Sequence, residues 1–238
     1  MKKTQNVIFW ITLLIGYIIF ALLMKRAYHE VDKQIIKQQT QNFPLMIIDA
    51  GHGGEDSGTI SAKGVYEKDI NLKVAKILKD LMLSSGFEVI MTRETDTSIY
   101  DKTALTLRQR KVSDLNNRLK IANSNKNAIL VSIHQNSIAQ KTCKGSQVFY
   151  STSDKFSQIL AENVKKTFNL IDPKNKRQVR PANNDIFLLK NVKTPAILVE
   201  CGFLSNPEEA EKLTNFNYQK QVAFAIFLGY IEYSKIFN

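Results

Sequence analysis

Cysteine is scarce: Cys143 and Cys201 are the only two among 238 residues, too few for a disulfide framework. Histidine is limited to three positions, His29, His52 and His134, so any imidazole chemistry must use them. Acidic residues are outnumbered, 22 against 33 Lys and Arg, giving a formal net charge of +11. That balance suits an acidic surface, a wall polymer or nucleic acid equally well. No RNP, zinc-finger or helix-turn-helix pattern is present, and nucleic acid is therefore not expected as a partner.

Long apolar runs are also few, and one stands out. After MKKTQN, the 18 residues from Val7 to Met24 are apolar apart from Thr12 and Gly16. At about 1.5 Å per residue they span roughly 27 Å, close to the hydrocarbon core of a bilayer. No Ala-x-Ala pattern follows, and Met24 leads into Lys25-Arg26. A retained transmembrane anchor over residues 1–25 is expected rather than a cleaved signal peptide. Residues 26–43, Gln-rich at their end (QIIKQQTQNF), read as a juxtamembrane spacer, with His29 solvated. Residues 44–238 read as a single domain. Lys2 and Lys3 precede the run and Lys25, Arg26, Lys33 and Lys37 follow it. This count alone favours a cytoplasmic domain, but it carries little weight when a whole domain follows.

The domain is organised around Met46 to Asp69, MIIDAGHGGEDSGTISAKGVYEKD. The apolar run Met46-Ile47-Ile48 reads as a buried strand, and the glycines after it read as an open loop. His52 lies near the start of that loop and Glu67 near its end, where an amphipathic helix begins. Ile70, Val74, Ile77, Leu78 and Leu81 follow helical spacing over Asp69 to Met82, and Gly86 ends that helix. Strands are expected at Phe87–Thr92, Ala128–Ile133, Ser146–Tyr150, Ile186–Leu189 and Pro195–Val199. Helices are expected at Leu107–Asn123, at Ser153–Leu170, after Ser205-Asn206-Pro207, and at the C-terminal end through Val222, Ile226, Gly229 and Tyr233. Strands alternating with helices define an α/β fold with a mostly parallel central sheet covered by helices on both faces.

In such sheets ligands bind beyond the carboxyl ends of the strands. His52, His134 and Glu200 each follow the apolar part of an expected strand, and Glu67 returns from the loop to the same edge. Two His and one Glu form a zinc-ligand set with a position left open for water. A further carboxylate is then needed to move protons between water and a leaving amine. Glu200 is the candidate base, with Asp49, Glu55 and Asp56 as alternative acids near His52. Cys201 should face away from Glu200 along its strand and pack as a buried apolar residue.

The stretches DAGHGGEDSG, EKD, SIHQNS and PAILVECGFLSNPEEAEKL, with TRETD and the L-x-x-R-x-x-x-A-N run from Leu115 to Asn123, resemble the zinc-dependent N-acetylmuramoyl-L-alanine amidases, the amidase 3 family. The resemblance runs from Pro44 to about Tyr233. It implies that His52, Glu67 and His134 hold Zn2+ and that Glu200 is the catalytic base. It also implies hydrolysis of the amide joining muramic acid to L-alanine in peptidoglycan, with the domain outside the cytoplasmic membrane. Ala50 stands where Pro is common in the family, and Gln135 where a small residue is common.

No repeat follows that would serve as a wall-binding module, and Tyr150 to Ile186 leaves no room for a long blocking helix. With its N-terminal anchor, the chain is similar to the spore-cortex amidases of endospore formers, which begin the route to muramic-δ-lactam. A vegetative amidase of the same family, a different zinc peptidase acting on stem peptides and a non-catalytic membrane partner are the alternatives. The sequence does not distinguish an accessory protein at the membrane from a homo-oligomer. The basic loop from Lys174 to Arg180 reads either as an attractor of stem-peptide carboxylates or as a solvated loop.

Overall fold

The central strands are apolar on both faces, which is why they lie at the centre. β1 (Leu45–Ala50) and β3 (Ala128–Asn136) pair in parallel, with Ile47 opposite Leu130, and β6 (Ala196–Phe203) pairs in parallel on the far side of β3. The structure, a computed structural model, describes residues 2–40 and 43–237. Met1, residues 41 and 42 of the expected spacer, and Asn238 lie outside the described residues.

Contacts divide the chain into two units, Met1–Asn42 and Phe43–Asn238. The first is a helix, α1 (Lys2–Thr40), in which Gln5–Ile35 is long and apolar enough to cross a membrane. Among its described side chains the large apolar ones, such as Trp10, Leu14, Phe20 and Leu23, are exposed.

The second unit is built on a six-stranded sheet in the order β2-β1-β3-β6-β4-β5, where β2 is Val89–Met91, β4 is Gln147–Tyr150 and β5 is Arg180–Pro181. Side chains alternate across the strands, so the sheet has two cores. Met46, Ile48, Ile129, Val131, Ile197 and Val199 face one way. They pack on α2 (Glu67–Ser84), α4 (Phe156–Ile171) and α7 (Phe216–Ser234). Leu45, Ile47, Leu130 and Leu198 face the other way, toward α3 (Leu107–Ala122) and the short α5 (Phe187–Asn191). On the first face α4 and α7 approach so closely that a Cβ on Gly229 would lie 2.5 Å from Val164 Cα. A side chain at that position would push the helices apart.

α6 (Pro207–Thr214) starts as expected, with Asn206 capping the amides of Glu208 and Glu209 and Pro207 in the first turn. The sheet is mostly parallel, as expected, with β4 running antiparallel to its neighbour β6. Two expectations need correction. Ile186–Leu189 is not a strand: its apolar residues enter α5, whose Lys190 amide bonds the Ile186 carbonyl, and Leu188 and Leu189 fill the second core. A run of four apolar residues carries no period that separates the two states. Finally, β3 and β6 continue past their apolar parts, so His134 and Glu200 lie within the strands as directly paired neighbours.

Candidate active site

Alternation along the strands decides which groups meet. Asp49, Ser132, His134 and Glu200 share the parity of Ile47, Leu130 and Leu198 and therefore point to the α3 side. Gln135 and Cys201 take the opposite parity. Cys201 is fully buried in the first core, where burial pushes its thiol above the ordinary range.

His52 follows β1 with φ of 62°, the only non-glycine among the described residues in the left-handed region. Such a conformation costs on the order of 1–3 kcal/mol and persists only where surroundings impose it. The surroundings are two arginines. Arg118 of α3 donates to the Ala50 carbonyl at 2.8 Å and the His52 carbonyl at 2.7 Å. Arg93 donates to the carbonyls of Ala50 at 2.8 Å and Gly51 at 3.0 Å. Gly51 has no room for a side chain, since a Cβ there would lie 2.2 Å from His134 Nε2.

With the loop held, three donors converge. His52 Nε2 lies 3.2 Å from Glu67 Oε1, and His134 Nδ1 lies 3.0 Å from the same oxygen. One atom from each residue falls within 4.8 Å of the others. Glu67, at the start of α2, is buried and accepts backbone amides from Gln135 at 3.0 Å and Thr59 at 2.9 Å. Behind it Asn71 donates to Gly51 O at 3.1 Å and receives Gln135 Nε2 at 3.0 Å. Burial opposes ionisation of Glu67, but the bonds to His134 and His52 outweigh it and hold the carboxyl far below its ordinary range.

Glu200 faces this cluster from β6. Its Oε2 is enclosed and has no hydrogen-bond partner in the protein. Burial pushes its carboxyl up to about 7, a shift that His134 opposes and Glu67 reinforces. The alternative acids are each committed. Glu55 pairs with Arg110 at 2.5 Å on the surface. Asp56 accepts from the Gly58 amide at 3.1 Å and holds His52 Nδ1 at 3.0 Å, so it orients that imidazole from behind. Against the cost of burial, the bonds to Asp56 and Glu67 push His52 up to about 9. Asp56, expected only as an alternative acid, instead orients His52, and Arg93, Arg118 and Asn71 are positioning residues that the motifs alone did not single out. Arg93 and Arg118 were visible only as letters of the TRETD and L-x-x-R motifs.

Asp49 is fully enclosed by Arg118 at 2.6 Å, Ser132 at 2.6 Å and Thr92 at 2.8 Å. Burial disfavours its charge, but Arg118 and the two hydroxyls prevail, and its carboxyl is lowered from 3.8 to about 2. A lowered carboxyl contributes stability above its unfolded value, and that stability is lost as pH falls toward 2. Asp49→Asn should be less stable at pH 5 by about 3–5 kcal/mol, because Arg118 loses a buried partner. The gap to wild type should narrow by about 2 kcal/mol between pH 5 and pH 2. Urea unfolding across that range checks it, and a gap that stays constant with pH would refute the assignment.

A strand-edge cluster of two His and two Glu on a mostly parallel sheet defines a metallohydrolase-like site. The chain belongs to the N-acetylmuramoyl-L-alanine amidase family, whose profile matches residues 46–232. It is an amidase acting on peptidoglycan. It is 33% identical over 228 residues to the germination-specific N-acetylmuramoyl-L-alanine amidase of Bacillus subtilis (strain 168), covering 94% of each chain. Among solved structures it is similar to the CwlD amidase from Clostridioides difficile in complex with the GerS lipoprotein. There the identity is 38% and the TM-score 0.78, over 81% of this chain and 99% of that one. The catalytic domain of CwlV, an amidase from Bacillus (Paenibacillus) polymyxa var. colistinus, matches at 30% identity and a TM-score of 0.70, over 82% and 99%.

Proposed function

We propose that the chain is a zinc-dependent amidase of spore-cortex maturation that cleaves the bond between muramic acid and L-alanine, the first step toward muramic-δ-lactam. The observation that carries the chemistry is the convergence of His52 Nε2, His134 Nδ1 and Glu67 Oε1, with the unpartnered Glu200 Oε2 facing them. The donor set fits zinc, which takes imidazole nitrogen and carboxylate oxygen as ligands: Glu67 Oε1 lies 3.2 and 3.0 Å from the two imidazole nitrogens, and one atom from each of the three residues falls within 4.8 Å of the others. When bound, zinc acidifies water and polarises the scissile carbonyl.

The remaining steps belong to the protein. Asp56 fixes the His52 ring so that Nε2 faces the site, and the amides of Gln135 and Thr59 hold Glu67 in place. Glu200 accepts the proton of the attacking water and delivers it to the alanine nitrogen as the amide breaks. The products are a lactyl carboxylate on the glycan and a peptide with a free amino terminus.

In this reading residues 1–25 anchor the enzyme, residues 26–43 space it from the membrane, and residues 44–238 act outside the cytoplasmic membrane, in a sporulating cell between the forespore membranes. The spore role draws support from the germination-specific relative that matches nearly end to end. An accessory lipoprotein at the membrane is proposed as a partner on the strength of the complex formed by the CwlD relative. Mass spectrometry of peptidoglycan digested with the protein and zinc should yield glycan without L-alanine and peptides that begin with it. Peptides cut within the stem would instead identify a zinc peptidase.

A further inference from the structure

The cleft around the proposed ligands and Glu200, about 340 Å³, adjoins a second cavity of about 260 Å³. Four residues line both: His52, Asp56, His134 and Lys111. Three cations, Arg110, Lys111 and Arg118, line one or both spaces, and two of them are occupied. Arg118 is buried, with its nitrogens on Asp49, Asp114 and the carbonyls of Ala50 and His52. Arg110 bonds Glu55 and the Ala104 carbonyl and lies 5.2 Å over the Tyr100 ring.

Lys111 differs. Its side chain is 66% exposed, and its nearest carboxylate oxygen, Asp56 Oδ2, is 3.8 Å away, outside hydrogen-bond range. That same oxygen already holds His52 Nδ1 at 3.0 Å. Among the described residues, Lys111 is thus the cation at this site whose donors remain uncommitted.

The amidase substrate carries no charge at the scissile bond or on the neutral sugar beside it. Its nearest charge lies in the peptide, where the residue after L-alanine is a glutamate linked through its side chain, leaving the α-carboxylate free. Two chain steps place that carboxylate roughly 7 Å from the scissile carbon. An ammonium on a flexible four-carbon stem at the cleft rim suits that reach. We propose that Lys111 is a specificity-determining residue that binds this free carboxylate and so favours stems with an acid, rather than an amide, at the second position. The proposal rests on the amidase reading above.

The test uses the full chain with zinc and two muramoyl peptides that differ only in whether the second residue carries a carboxylate or a carboxamide. A charge-assisted hydrogen bond at a partly exposed site should give wild type about a tenfold preference in kcat/KM for the acid, expressed mainly in KM. Lys111→Gln should lose most of that preference and Lys111→Arg should keep it. The ratio of the two substrates on one preparation cancels any loss of active enzyme, so a merely structural role would leave it unmoved. An absent preference in wild type, or one that survives in Lys111→Gln, overturns the proposal. If wild type releases peptide from neither substrate, the amidase reading falls and the proposal with it.

Discussion

Glu200→Gln is expected to lower peptide release at least a hundredfold while leaving melting temperature and zinc content near those of wild type. A general base contributes on the order of 10²- to 10⁴-fold. The amide keeps the shape of the carboxyl but cannot accept the proton. The competing view makes Glu200 a buried structural ion, whose loss would cost about 3–5 kcal/mol. That view needs a cationic partner, and no Lys or Arg pairs with Glu200 among the described residues; its Oε2 is unbonded. Its half-open position beside His134 and its carboxyl, raised to about 7, suit a group that must both take and return a proton near neutrality. Retained activity would remove Glu200 from the role of base. A large fall in melting temperature would make Glu200 structural.

His134→Ala should sharply reduce bound zinc. It removes one of the three donors gathered around Glu67 Oε1 and leaves an incomplete set. Orienting partners of metal ligands typically contribute 10- to 100-fold in affinity. Loss of a ligand itself should exceed that, so His134→Ala is expected to weaken zinc binding by more than about a hundredfold. Asp56→Ala, which removes only the group behind His52, should fall within the smaller range. Competition against a chelator of known affinity orders the two variants. Full zinc occupancy in His134→Ala would remove His134 from the ligand set.

Much of this arrangement was legible from apolar runs and glycines. The strand before Asp49 and the strands that carry His134 and Glu200 follow from continuous apolar runs, and the helix after Glu67 from its helical spacing. What escaped was set by tertiary context. The apolar criterion ended β3 at Ile133 and β6 at Val199, although pairing continues through His134 and Glu200, whose polar side chains face the open site. Asp56 looked like one more acid near His52. Its role depends on a loop in which His52 is left-handed, and nothing in the spacing announces that turn. Arg93 and Arg118 bond backbone carbonyls, and carbonyls leave no trace in a sequence. Lys111 stood in a run with three arginines, and only the commitments of Arg110 and Arg118 set it apart.

The distance along the chain between the converging groups has a kinetic consequence. His134 and Glu67 are separated by 67 residues, and they meet only after β1 and β3 have paired across α2, β2 and α3. Non-local parallel pairing of this kind forms slowly. On the proposed zinc assignment, an unfolded chain would offer the ion no complete set of ligands, and capture would follow folding. Once captured, an ion bound only by the native state deepens that state in proportion to the logarithm of its concentration over its dissociation constant. On the proposed extracytoplasmic placement, the chain would cross the membrane unfolded and without metal, and the compartment in which it folds would supply the ion.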